Sequence, residues 1–126
     1  MIRFLDCKNG TIKDTKTGLY WQKKSDAHIW VDAVYYCKSL TLGDYTDWRL
    51  PTIQELLSIV NYERKGLAID PIFKNGIDNI FWSSTECWWK EDFCWCVSFF
   101  TGASLACDRD FKYGVRAVRT IGGKNE

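Results

Sequence analysis

The chain has one histidine, no C-x-x-C pair, no glycine-rich phosphate loop and no cluster of basic residues. Each absence removes a class of function. A cysteine nucleophile needs a nearby base or an electropositive setting, and His28 is the one histidine present. With no phosphate loop and no metal-binding helix motif either, no enzyme is expected. The cysteine spacing is not a zinc pattern, and His28 lies far in sequence from every cysteine, so no metal or other cofactor is expected. Lysine and arginine number 17 against 16 acidic residues, leaving a net charge of +1. Nucleic-acid binding through phosphate neutralisation takes a clustered basic patch, so no nucleic-acid partner is expected. No apolar run is long enough for a bilayer, so no membrane insertion is expected. Asp6, Lys8 and Asn9 interrupt any signal-peptide core at the N-terminus.

Aromatic residues are abundant instead: seven Trp, six Tyr and seven Phe in 126 residues. That length suits one compact domain, here residues 1–126, able to bury roughly two-thirds of its unfolded surface. So many rings suit both a core and an interface, because each buries a large area at low entropic cost. Six cysteines stand at 7, 37, 87, 94, 96 and 107. An even number in a short chain points to disulfides or to buried free thiols. Cys94 and Cys96, two residues apart, would share a face of a strand.

Along the chain, Phe4–Asp6, Thr11–Asp14 and Leu19–Gln22 read as short strands joined at Asn9-Gly10 and Thr17-Gly18. Asn-Gly is the signature of a type I′ hairpin, whose two central residues both need positive φ. Trp30, Ala33, Val34, Cys37 and Leu40 form one stripe of a helix over residues 30–40, with Gly43 beyond it. Thr52 and Glu55 form a T-x-x-E capping box for a second helix, with Ile53, Leu56, Leu57 and Val60 on one face. Gly66 to Asn79 reads as a loop, with turn signals at Asp70-Pro71 and Asn75-Gly76. Strands follow over 80–85, 95–100 and 115–120, and Thr101-Gly102 turns the second back through Ala103 to Cys107. The fold class is α+β, with two helices packed on a small antiparallel sheet with long loops.

Several segments together resemble one family. They are N-G-T-I-K-D at 9–14, T-G-L-Y-W-Q at 17–22, L-G-D-Y-T-D-W-R-L-P-T-I-Q-E-L at 42–56, A-I-D-P at 68–71, F-W-S-S-T at 81–85 and V-R-A-V-R at 115–119. This pattern is similar to the Lcl C-terminal domain family, named after a Legionella collagen-like adhesin. The resemblance implies a C-type-lectin-like fold, related to that of the formylglycine-generating enzyme, and cell-surface or secreted binding modules. It also implies kinship with the variable proteins of diversity-generating retroelements, whose variation concentrates at exposed C-terminal positions. Ala117 stands where family members often carry a cysteine, which leaves Cys37 without the partner it would have had. Ile29 replaces the small hydroxyl residue usual before the first helix. Neighbours of Cys94 and Cys96 do not resemble the copper-binding pair of the related enzyme. The acidic-Pro-Asn and Trp-Asn-Asp motifs of calcium-dependent lectins do not occur.

Asp47-Trp48-Arg49 is expected to join a loop to the core, with Trp48 buried and Arg49 bonded to backbone carbonyls. The hydroxyls of Trp82-Ser83-Ser84-Thr85 are expected to satisfy local backbone groups. Arg116 and Arg119 are expected to meet internal Asp or carbonyl partners. The stretch 86–113 differs. If Trp95, Val97 and Phe99 face the core, Cys94, Cys96, Ser98 and Phe100 point the other way. With Cys87, Trp88, Trp89 and Phe93 they would form an apolar patch, rimmed by Glu86, Lys90, Glu91, Asp92, Arg109, Asp110, Lys112 and Tyr113. An apolar centre inside a charged rim is the anatomy of a protein-binding surface. The alternative is that a loop covers this face, or that the cysteines staple it. Two functions follow from the binding reading: a diversified receptor-type module for a protein target, or a fixed adhesin for glycans, including sulfated polysaccharide.

Overall fold

In the computed structural model, which describes residues 2–64, 66–74, 76 and 78–120, the strands are β1 (Phe4–Asp6), β2 (Thr11–Asp14), β3 (Leu19–Gln22), β4 (Asp26–His28), β5 (Ile80–Glu86), β6 (Phe93–Ser98), β7 (Ser104–Asp108), β8 (Tyr113–Val115) and β9 (Val118–Thr120). The helices are α1 (Trp30–Ser39) and α2 (Ile53–Leu57). The chain is therefore α+β, as its sequence implies. The strands form two sheets: four antiparallel strands ordered β1-β2-β3-β9, and five ordered β4-β8-β5-β6-β7. The second sheet is mixed, because β5 runs parallel to β8.

The first hairpin forms where Asn9-Gly10 places it, but not as a two-residue turn. Positive φ occurs at Lys8 and Gly10, 64° and 89°, and Cys7 N–H donates to Thr11 O at 3.0 Å. Asn9 works through its side chain instead: Oδ1 accepts from the Thr11 N–H at 3.2 Å and from its hydroxyl at 2.6 Å. A short amide that bonds the backbone two residues on closes a wider loop without a left-handed asparagine. Asp14 ends β2 fully buried, taking two bonds of 2.8 Å from the Arg3 guanidinium, one from the Thr17 hydroxyl and one from Lys16 N–H.

The stretch 115–120 is not one strand. Val115 ends β8 in one sheet and Val118 begins β9 in the other, so residues 116 and 117 carry the chain between them. Arg116 is buried there, with 1% exposed. Its guanidinium donates to the carbonyls of Gln22, Lys23 and Lys74 at 2.8, 3.1 and 2.9 Å, and lies 5.0 Å from the rings of Phe73 and Phe81. Burial pushes its pKa down to about 9, which still leaves it charged at neutral pH. Ala117 N–H donates to Gln22 Oε1, and Gln22 N–H to Ala117 O.

The helices meet opposite faces of the five-stranded sheet. Ile53 and Leu56 of α2 join Phe81, Val97 and Phe99 in a core that extends to Ile12, Trp21 and Val118. Ala33 and Cys37 of α1 join Trp82, Cys94, Cys96, Cys107 and Val115 in a second core. Complete burial of a Phe or a large aliphatic side chain contributes roughly 1.5–3 kcal/mol, so two filled faces provide most of the favourable term. The capping box of α2 is formed: Thr52 Oγ1 accepts from Glu55 N–H, and Glu55 Oε1 accepts from Thr52 N–H. That helix ends at Leu57, short of Val60. Ile29 gives α1 no side-chain cap, and Trp30 N–H donates to Arg109 O at 3.1 Å instead.

The D-W-R segment is structural, with one correction. Trp48 is buried and its indole donates to the carbonyls of Leu42 and Tyr45. Arg49, however, forms a bidentate pair with Glu55 at 2.7 and 2.8 Å, because the capping box already holds that carboxylate beside it. Arg119 pairs with Asp47 and stacks 3.7 Å over Tyr45. Thr85 Oγ1 accepts from Ile53 N–H and so ties β5 to α2. The turn signal at Asn75 lies outside the described residues. At Asp70-Pro71, Asp70 Oδ1 accepts from Ile72 N–H.

Two outcomes are expected. Burial alone would raise the pKa of Asp14, but the bonds from Arg3, Thr17 and Lys16 N–H hold it below its ordinary 3.8. A carboxyl lowered in the folded state stabilises above its unfolded pKa and stops doing so as pH falls through the folded value. Urea unfolding should therefore show stability falling below pH ~4. Asp14→Asn should lose about 1–3 kcal/mol at pH 7 and flatten that fall. Arg116→Met keeps an apolar stem but takes the side-chain donor from the Gln22, Lys23 and Lys74 carbonyls, of which that of Lys23 also accepts from Lys74 N–H. It should cost about 2–3 kcal/mol in the same assay.

Candidate binding surface

The β5–β6 hairpin projects the most exposed ring of the protein, Trp88. Glu86 pairs with Cys94 at its base, and the N–H of Cys87 reaches Phe93 O at 3.3 Å. Lys90 N–H to Cys87 O and Phe93 N–H to Lys90 O close the loop between them. Trp88 is 89% exposed and Trp89 54%. The rings form an edge-to-face ladder, Trp88 to Trp89 at 5.5 Å and Trp89 to Trp95 at 5.6 Å. Such pairs contribute about 0.5–1.5 kcal/mol each beyond area burial, which sets the orientation of Trp89 on the half-buried Trp95. Lys90 lies 4.6 Å over the ring of Phe93, and Glu91 and Asp92 are exposed beside them.

The remaining residues expected in a single patch do not stay together. Cys87, Cys94, Cys96 and Ser98 do not face solvent: they are 3, 0, 0 and 6% exposed. The alternation along β6 is as expected, but α1, Trp82 and Val115 cover the second face. Ser98 Oγ accepts from Phe100 N–H at the turn. Arg109 is not a free rim charge either. It lies 4.4 Å over Trp30, bonds Glu86 Oε1 at 2.9 Å, and its carbonyl holds the first N–H of α1. Phe100, Lys112 and Tyr113, with Asp78, Asn79 and Ile80, line a separate shallow cleft of about 210 Å³. Asp110 is exposed beside Phe111, whose ring is 59% exposed. Sequence reading passed over Phe111, although its place between Asp110 and Lys112 has the same apolar-within-charged pattern.

All six cysteines are free thiols. Burial pushes Cys37 and Cys94 up to about 12, and raises Cys87 and Cys96 as well. Cys107 is lowered, through hydrogen bonds with the Cys96 thiol and the Tyr113 hydroxyl. Thiols held protonated in a core behave as small apolar side chains. His28 pairs with Asp26 at 3.0 Å and packs on Tyr36, 5.0 Å between ring centroids. Among the described residues no group of three or more His, Cys, Asp or Glu is placed to hold a metal ion, and no helix is long and apolar enough to cross a membrane.

A mixed sheet filled on both faces, with an aromatic hairpin tip at its end, makes a small α+β module. The chain belongs to the Lcl C-terminal domain family, whose profile matches residues 10–119, and is adhesin-like in that sense. No curated protein matches it.

Two further outcomes are expected. In the native protein a thiol reagent should modify Cys7 readily, and the five buried cysteines only after unfolding. Trp88→Ala should change stability by less than about 0.5 kcal/mol, and Trp89→Ala by about 1, read from melting curves.

Proposed function

We propose that this domain is a non-catalytic, C-type-lectin-like receptor or adhesin module that recognises a protein target through the tip of its β5–β6 hairpin. One observation carries this reading: two indoles, 89% and 54% exposed, meet edge to face, the second is seated in turn on the half-buried Trp95, and Glu86, Lys90, Glu91 and Asp92 flank them. Exposed large rings inside a charged rim are what protein interfaces use as anchors. Family membership supports a place at the cell surface or in a secreted parent protein. The frame also suits a diversified binder, as in the variable proteins of retroelements. Residues 88–92 and 110–112 sit outside both cores, so their side chains can change without disturbing Val97, Phe99 or Trp82.

Deep sequencing of codons 86–113 across one source population tests this reading. Substitutions crowded at 88–92, 100 and 110–112, with Cys94, Trp95, Cys96, Val97 and Phe99 spared, are expected. An invariant or evenly drifting stretch would remove the diversified reading. A fixed adhesin, tested on a glycan array that includes sulfated polysaccharides, would then take its place.

A further inference from the structure

β7 is an open edge, and it differs from the other outer strands. β1 and β4 have three residues each, and β4 carries Asp26 and His28. The outer side of β9 is taken by Arg49, which exchanges backbone bonds of 2.9 Å with Val118. β7 has five residues, Ser-Leu-Ala-Cys-Asp, with no proline, no lysine and no bulge in its pairing with β6. Edges of this kind are normally blunted by such devices, since an unprotected one accepts another strand.

The ladder phase shows which groups are available. Ser98 N–H donates to Ala103 O and Arg109 N–H to Asp92 O, which fixes the bonded pairs at alternate positions. Leu105 and Cys107 therefore direct their main-chain groups to β6. Ser104 and Ala106 direct N–H and C=O outward, and Asp108 its N–H. Side chains along this edge are small, with Ser104 and Ala106 both exposed. Ala106 is the register partner of Trp95, so the two share a face, and Trp89 stacks on that same Trp95. An incoming strand would lay its alternate side chains across Ala106 toward the Trp89–Trp95 shelf. Charge at one end is acidic: Asp92, Asp108 and Asp110 gather there, while Arg109 is turned to Glu86 and Trp30.

We propose that the domain binds an extended segment of a partner protein by strand addition to β7. The segment has apolar side chains at alternate positions and a basic residue facing Asp108 and Asp110. This deepens the protein-recognition reading above and rests on it. Main-chain bonds supply affinity in this mode, and alternate side chains supply selectivity. A second copy of this chain fits less well: paired antiparallel about Ala106, it would set Ser104 against Asp108 and bring no basic residue there.

The test is selection of a displayed library of random twelve-residue peptides on the whole domain, followed by binding of the winners to two variants. Ala106→Pro removes an outward N–H and leaves the bonds to β6 intact; Ala106→Lys places a charge on the edge at an exposed position. The expected result is peptides with period-two apolar residues and a terminal Lys or Arg. Each variant should weaken them by about tenfold or more. The amide of Ala106 should gain protection from exchange when peptide binds. Should Ala106→Pro fold poorly, Ala106→Lys decides. Peptides that lack the alternation, that bind both variants as well as the parent, or that cannot be selected at all would overturn strand addition. If such winners still required Trp88 and Trp89, the hairpin reading would stand while this one fell. Self-association abolished by Ala106→Lys would assign the edge to a second copy and likewise overturn the proposal.

Discussion

A positive charge buried with no carboxylate partner among the described residues is the constraint around which this domain is arranged. The Arg116 guanidinium has left water; the carbonyls of Gln22, Lys23 and Lys74 take bonds from its Nε and Nη2, and two aromatic rings lie beside it, in place of part of its hydration. Several kcal/mol of desolvation are offset only if those partners stay in position. The end of β3, the segment around Lys74 and the passage from β8 to β9 are thereby locked together. Both sheets meet at this point, so the registers of the last two strands depend on it.

That junction also bears on why the proposed recognition surface lies at the hairpin. β6 is filled on both faces, by α2 and its core on one side and by α1 and the cysteine-lined core on the other. Little of the C-terminal third is free to vary except where the backbone leaves the sheet. The β5–β6 loop and the Phe111 turn are such places, and β7 adds an open edge. Trp95 links two of them, half in the core and half a platform for Trp89. Gly102 places β7: its φ of 78° turns the chain after β6, and a β-carbon there would collide with the Tyr62 ring.

Much of this was legible in the residues. The capping box at Thr52 and Glu55, the stripe of α1 and the alternation along β6 each express a local rule, and each holds. What the sequence could not reveal was coverage. Alternation along β6 states that Cys94 and Cys96 oppose Trp95 and Val97; it does not state whether something packs on the cysteine face. Cysteine is among the most buried residue types, and that preference, weighed more heavily, would have placed these thiols inside. Arg109 shows the same difficulty at longer range, since its partners Trp30 and Glu86 are brought to it only by the fold. β4 was missed because Asp26-Ala27-His28 holds no β-branched or large apolar residue and has no hairpin signal beside it. The single C-terminal strand expected over 115–120 divided because residues 116 and 117 cross between sheets, which no periodicity encodes.

Recognition, in this account, is carried by a hairpin tip energetically separate from a frame locked at Arg116. Native-state amide hydrogen exchange tests that separation most directly. Amides of residues 88, 89, 91 and 92 should exchange through local opening, while those of Phe81, Val97 and Val118 exchange only with global unfolding. Protection of the tip equal to that of the sheet, or opening of Val118 well below the global free energy, would contradict the account.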